Sequence, residues 1–250
     1  MLTVDEILKK EKFGKDDLVA LLKSEGPDRL KLFEKAKEDK LQHVGNKVYF
    51  RGLIEYSNRC RKNCYYCGIR AGNRGYVRYR MTDEEVLEAV RYSWENQYAS
   101  IVIQSGEQSG KSFIDRIESL LTEIRRMTAG KIHVTLSLGE QSIDTYRRWF
   151  EAGAHRYLLR IEVSNPALYR KLHPANAVHA YNHRITSLLN LRETGYQVGT
   201  GVMIGLPFQT LENLADDLLF FQTLDIDMCG MGPFIEHEDT PLFHYKDQLL

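Results

Sequence analysis

Residues 53–68 read Leu-Ile-Glu-Tyr-Ser-Asn-Arg-Cys-Arg-Lys-Asn-Cys-Tyr-Tyr-Cys-Gly. The stretch opens on a short apolar run, Leu53–Tyr56, of the kind that makes a buried parallel strand, and it ends on Cys60, Cys64 and Cys67 in the spacing C-x-x-x-C-x-x-C. The same grammar repeats onward. Apolar runs at Ser100–Ile103, His133–Leu138, Tyr157–Ile161 and Val198–Ile204, and a weaker one at Met228–Met231, predict further strands. Amphipathic helices lie between them. Thr82-Asp-Glu-Glu85 is a capping box that opens one carrying Val86, Leu87, Val90 and Trp94. Phe113–Met127 repeats Ile114, Ile117, Leu120, Leu121 and Ile124 at helical spacing, and Ser142–Ala152, Ile185–Leu191 and Leu211–Leu224 complete the set. Six βα units imply an α/β fold with a parallel sheet and right-handed crossovers.

An open doubly wound sheet and a (β/α) barrel of TIM type both satisfy that pattern. Nothing resembles a GxGxxG turn after the first strand. Chemically capable residues instead follow nearly every strand: Cys60, Gln104-Ser-Gly-Glu107, Ser137-Leu-Gly-Glu140, Arg160-Ile-Glu162, Gly205-Leu-Pro207 and Gly232-Pro-Phe234. Barrel active sites are assembled from several strand ends at once, so an incomplete or truncated barrel of six units is expected. Residues 1–47 are expected to form an N-terminal helical segment, with Asp16–Leu22 and Pro27–Leu41 as helices and Leu30, Phe33, Ala36 and Leu41 on the apolar side of the second; residues 48–250 form the barrel core.

Composition narrows the function. The 250 residues hold 34 Lys+Arg and 34 Asp+Glu, a net charge of zero with no general pull toward nucleic acid or acidic membranes. No apolar run approaches the roughly 18 residues of a membrane span, and no secretion signal opens the chain. Four cysteines make no disulfide framework. Reduced thiolates need a reducing compartment, so a cytoplasmic setting is expected, and an oxygen-labile cluster with an open iron would make it an anaerobic one.

Three thiolates in the 60–67 spacing can reach one soft metal centre when the loop wraps around it. With no histidine nearby, one reading is a [4Fe–4S] cluster held through three irons, the fourth open to a small molecule. A zinc site completed by Cys229, or three unligated thiols, remain as alternatives. Cys229 itself reads as a buried strand residue.

The cysteine loop with Tyr66 before its last cysteine, at the end of a first barrel strand, resembles the radical S-adenosylmethionine (SAM) superfamily. The resemblance implies that Cys60, Cys64 and Cys67 hold a [4Fe–4S] cluster, that SAM binds its open iron, and that reductive cleavage yields methionine and a 5′-deoxyadenosyl radical. Ser105-Gly106-Glu107 stands where the family has Gly-Gly-Glu, with serine in place of the first glycine, and is implied to contact the SAM amino group. Gly201–Gly205, including Met203 and Gly205, resembles the segment lying against adenine, and Tyr66 is implied to contact adenine through its backbone.

Within the biotin-synthase-like branch, Ile54–Cys64, Ile103–Glu107, Val134–Glu140, Arg156–Glu162, Gly205–Thr210, Asp216–Leu219 and Gly232–His237 with Asp239–Leu242 are most similar to the [FeFe]-hydrogenase maturase family HydE. That likeness implies a small anionic iron–cysteine substrate, a low-potential donor such as a flavodoxin or ferredoxin, and other hydrogenase maturases as partners. Glu162 and Arg184 are implied to bind SAM. Arg160 is implied to serve both catalysis and substrate binding, and Gln104, Thr135 and Ser137 to line the cavity. An Arg160–Glu162 ion pair, and ordinary strand roles for Thr135 and Ser137, are the plainer readings. A longer stretch at Ala175–His183 departs from the pattern before Arg184. Full barrels of this family have eight strands, so the chain is expected to be a fragment lacking the last two units. An amino-acid radical mutase resembling methylornithine synthase and a non-catalytic cluster-binding protein are the alternatives. Glu140 reads as a helix-cap or surface residue, and Tyr76, Tyr79 and Arg80 as packing the cysteine loop onto the barrel.

Overall fold

The computed structural model describes residues 2–250. Three helices lead the chain: α1 (Val4–Ile7), α2 (Lys15–Leu22) and α3 (Gly26–Val44). The alternation follows with β1 (Gly52–Ser57), α4 (Asp83–Glu95), β2 (Ser100–Ser105), α5 (Lys111–Met127), β3 (His133–Ser137), α6 (Ile143–Ala152), β4 (Ala154–Leu158), α7 (Pro166–Leu172) and α8 (Tyr181–Thr194). It ends with β5 (Gln197–Thr200), β6 (Met203–Ile204), α9 (Leu211–Thr223), β7 (Met228–Cys229) and β8 (Gly232–Pro233).

The main sheet runs β1-β2-β3-β4-β5-β7, every pair parallel. Each new strand adds beside the last and the order never reverses. That is the winding of a (β/α) barrel; a doubly wound sheet turns back on itself partway. β1 and β7 are not paired, so the barrel is open.

Why these residues make these elements is visible in the packing. The Thr82 capping box forms as expected, with Thr82 Oγ1 accepting from the Glu85 N–H at 3.2 Å and Glu85 accepting from the Thr82 N–H at 2.7 Å. Along α5, Phe113, Ile117, Leu120, Leu121 and Ile124 are buried, the 3.6-residue stripe that must face a sheet. Trp149 of α6 is fully buried and donates its indole N–H to the Ile114 carbonyl at 3.1 Å. A second cluster, with Ile161, Val163, Leu172, Val202 and Leu206, fills the end where the strands finish.

Three expectations need correction. The fourth strand is Ala154–Leu158, earlier than Tyr157–Ile161, because the Thr200 hydroxyl takes the ladder's place: it accepts from the Ile161 N–H at 3.0 Å and donates to the Leu159 carbonyl at 2.8 Å. The fifth and sixth strands each break in two at a glycine. A Cβ on Gly201 would stand 1.7 Å from the Gly230 oxygen, so only glycine allows this contact, and the chains resume as the short parallel pair β6–β8. Finally, α3 buries no residue: Leu30 and Phe33 are exposed, and the apolar face read from spacing meets solvent.

Candidate active site

The cysteine loop is folded back on β1 by side chains rather than by secondary structure. Ser57 Oγ donates to the Tyr79 carbonyl at 2.7 Å, and Asn58 exchanges bonds with Val77 and Tyr79 at 2.8 Å each. Arg78 spends its guanidinium on four carbonyls of the loop, those of Asn58 (2.6 Å), Ile69, Arg70 and Asn73 (2.8 Å each). At the end of β2, Gly106 donates to the Ser57 carbonyl at 3.0 Å, and Glu107 N–H donates to Cys60 Sγ at 3.3 Å. Asn63 N–H donates to His179 Nε2 at 2.8 Å, and Tyr65 N–H to the Leu172 carbonyl at 2.9 Å, which pins the loop to the 172–183 stretch.

Cys64 is buried, and Cys60 and Cys67 are half-buried. Burial pushes all three thiols upward, Cys64 to about 12, and Cys64 and Cys67 are raised further by the neighbouring cysteines. A different cation opposes that shift at each thiol: Lys62 at Cys60, Arg184 at Cys64 and Arg78 at Cys67. Among the described residues no three Cys, His, Asp or Glu side chains converge as on a single ion. A cubane bonds each thiolate to a different iron and does not ask for that convergence. Cys229 is exposed on β7, a correction to its expected burial.

Behind the loop stands a ladder of alternating charge. Arg61 meets Glu107 at 2.8 Å, Glu107 meets Lys62 at 3.7 Å, Lys62 meets Glu140 at 2.7 Å, and Glu140 meets Arg184 at 2.5 Å. Glu140 Oε2 also lies 2.9 Å from His183 Nδ1, and the residue is only 1% exposed, which corrects its reading as a cap or surface residue. Burial would raise its carboxyl, but Arg184 and Lys62 together hold it below the usual range.

Arg160 and Glu162 form the plainer ion pair, Arg160 Nε to Glu162 Oε2 at 3.1 Å, and they lie past the end of β4. Burial raises the Glu162 carboxyl against the pull of Arg160 and Arg184. Its backbone is left-handed, φ +67°, and its carbonyl accepts from Met203 N–H at 3.1 Å. Arg184 donates onward to the Arg160 carbonyl. Tyr66 senses Cys64, Glu162 and Arg184, and its ring meets His173 edge-on at 5.4 Å. Cysteine loop, Glu162, Met203 and Arg184 therefore converge. Ser105 Oγ donates to the Gly106 carbonyl at 2.7 Å, and Gly205 N–H donates to Gln209 at 2.8 Å.

Parallel register arranges the sheet's concave face in two belts. Glu55, Gln104 and Ser137 stand opposite one another across β1–β3. Thr135, Arg156 and Gln197 do so across β3–β5, Arg156 Nε donating to Gln197 at 2.6 Å. Gln104 donates to Glu55 at 3.3 Å, and Thr135 Oγ1 is buried without a partner. Glu55, Arg156 and Gln197 were missed in the sequence, although the two-residue alternation from Thr135 and Ser137, carried across a parallel register, leads to them.

Residues 54–221 match the family described as the radical SAM superfamily. The chain belongs to the radical SAM superfamily. It is 48% identical over 215 residues to the [FeFe] hydrogenase maturase subunit HydE of Thermotoga maritima, covering 86% of this chain and 60% of that protein. The chain thus spans about 60% of the length of that curated relative. It is 24% identical over 247 residues to biotin synthase of Bacillus pumilus, covering 97% of this chain and 72% of that protein. In fold it is similar to methylornithine synthase (TM-score 0.86, 24% identity, 98% of this chain and 72% of that one) and to HydG, a maturase of the [FeFe]-hydrogenase (TM-score 0.80, 22% identity, 99% and 56%). A [4Fe–4S] cluster and SAM are general to the superfamily. The residues here fit them: three thiols without a disulfide, each beside its own cation, at the mouth of a barrel whose concave face carries an orphaned hydroxyl.

Proposed function

We propose that this chain is the core of a HydE-type radical SAM enzyme, with residues 48–250 as the barrel and 1–47 as a helical segment before it. The observation that carries the reading is the cysteine loop with its three separate cations, in a chain 48% identical to HydE. When bound, the reduced cluster and SAM supply a one-electron carbon–sulfur cleavage that gives methionine and a 5′-deoxyadenosyl radical.

Cys60, Cys64 and Cys67 would hold the cluster, and Lys62, Arg184 and Arg78 would offset its negative charge. Glu162, with Tyr66, Met203, Gly205 and the Ser105–Gly106–Glu107 turn, would seat SAM. Arg160 and Arg156, with Gln104, Thr135 and Ser137, would bind and orient a small anion, since guanidinium groups make strong charge-assisted bonds and hydroxyls add neutral ones. The substrate is an iron–cysteine complex with carbonyl and cyanide ligands, on its way to the di-iron site of [FeFe]-hydrogenase. A flavodoxin or ferredoxin supplies the electron, and the setting is an anaerobic cytoplasm. Among the described residues no helix is long and apolar enough to cross a membrane.

Anaerobic reconstitution with iron and sulfide, followed by reduction and SAM, tests the chemistry. The expected result is a cluster EPR signal that shifts with SAM and 5′-deoxyadenosine among the products; a single zinc bound in place of the cluster overturns it. For the maturase role, the full-length gene should restore hydrogenase activity to a strain lacking its own copy. Rearrangement of lysine in place of that rescue would move the reading to the amino-acid mutases.

A further inference from the structure

Glu140, the link between Lys62 and Arg184 in the charge ladder behind the cysteine loop, is not needed to explain which residues bind cluster, SAM or substrate. Its burial asks for a reason. The side chains of Lys62, Glu140 and Arg184 are 4%, 1% and 8% exposed. Taking such charges out of water is costly, and an apolar set of the same volume often serves stability as well or better. What an ion network does better is fix one geometry among several, because a misplaced partner leaves a bare buried charge.

Glu140 is where three segments of the chain meet. Lys62 reaches it from between Cys60 and Cys64, and Arg184 reaches it from α8. Its own N–H donates to Glu107 Oε2 at 2.9 Å, and the same Glu107 offers its N–H to Cys60. The Lys62 ammonium is surrounded by acceptors: Glu140, the Val178 carbonyl and, at 3.7 Å, Glu107. Arg184 lowers the Cys64 thiol through its charge and holds the Arg160 carbonyl. The Lys62 bonds and the Glu107–Cys60 bond end at or within two residues of a cysteine, and Arg184 reaches the Arg160–Glu162 pair.

We propose that Glu140 is a positioning residue: by binding Lys62 and Arg184 at once, it sets the shape of the cysteine loop in the protein before any cluster arrives. The proposal rests on reading Cys60, Cys64 and Cys67 as cluster ligands for its purpose, but not for its test. Glu140 is not among the residues assigned above to cluster, SAM or substrate, and it acts through Lys62 and Arg184.

The experiment is hydrogen–deuterium exchange on the metal-free chain, comparing native protein with Lys62→Met and Glu140→Gln. Lys62→Met keeps the volume of the side chain and leaves Glu140 paired to Arg184, so it serves where Glu140→Gln does not fold. Ile117→Val, in the fully buried stripe of α5, is the control for general loss of stability. Exchange in peptides spanning 58–68 should rise at least tenfold in both ladder variants, with peptides from α4 and α5 within twofold of native. In Ile117→Val, the 58–68 peptides should keep their native rate. A parallel measurement of iron retained after reconstitution should show at least a threefold loss in Lys62→Met.

Loop exchange within twofold of native in Lys62→Met, or an equal rise in every peptide, overturns the proposal. A native chain that takes up no cluster while Lys62→Met still loosens the loop would sink the cluster reading and leave the positioning role standing. A cluster that forms normally over an unloosened loop would do the reverse.

Discussion

A Cβ on Gly106 would sit 2.5 Å from the Arg59 oxygen and 2.7 Å from the Cys60 Cβ, so the turn after β2 and the first cysteine occupy one van der Waals gap. Gly106→Ala should push the loop outward, lowering stability by about 1–3 kcal/mol as overpacking does, and should reduce the iron retained after reconstitution. A variant with native melting temperature and full iron content would contradict this. Arg78 binds four carbonyls with one planar fork, which a lysine ammonium cannot match. Arg78→Lys should cost about 1–3 kcal/mol in a urea titration and open Val77 to proteolysis; unchanged values would show the clamp to be dispensable. Asp217 is a different case. Its Oδ1 accepts from the Ser164 N–H at 2.6 Å, Oδ2 is buried without a partner, and burial pushes the carboxyl up to about 6 from an ordinary 3.8. The folded chain therefore holds this proton more tightly than the unfolded chain does. The group costs nothing below about pH 4, and its penalty grows until about pH 6, reaching on the order of 2–3 kcal/mol. Asp217→Asn should accordingly gain stability relative to the native chain between pH 4 and 6.5 and stay level above. An equal difference at both ends of that range would refute the assignment.

Among the elements, what was legible in the sequence was whatever is decided locally. The Thr82 capping box and the apolar stripe of α5 are set by residues within a turn or two of each other, and both formed as read. Thr82→Ala should cost about 1 kcal/mol by thermal melting, and no loss would mean the cap is redundant. The end of β4 was misread because the Thr200 hydroxyl, from the neighbouring strand, replaces a backbone partner. Glu140 was misread for the same kind of reason. Its own neighbours, Leu138-Gly-Glu-Gln-Ser142, look like the approach to a helix cap, while the cations that bury it come from the cysteine loop and from α8. The Cys60–Cys67 spacing was readable because its three thiols lie within eight contiguous residues. Glu55, Arg156 and Gln197 needed the register of a sheet, which no single strand displays.

For the molecule as a whole, the sheet has two free margins, β1 and β7, and the chain before β1 leaves Val48, Tyr49 and Phe50 exposed, with Leu53 beside them on the strand. Unpaired edges flanked by apolar side chains invite pairing between copies. Light scattering on this chain should therefore show association that grows with concentration and falls when Val48 and Phe50 are changed to lysine; a strictly monomeric double-lysine and native chain alike would dismiss the idea. The unbroken strand order has a further consequence, one of timing. Because each strand of the main sheet lies beside the one that precedes it in that sheet, a polypeptide leaving the ribosome can add strand to strand as it emerges. The cysteine loop is the exception. Its thiols, the Arg78 clamp and the turn after β2 are synthesised early, but Glu140 and Arg184 come much later, so until α8 emerges the three sulfurs lack the complete buried anchor of the charge ladder. A cell making it must keep oxidants and stray metals away from a half-finished chain.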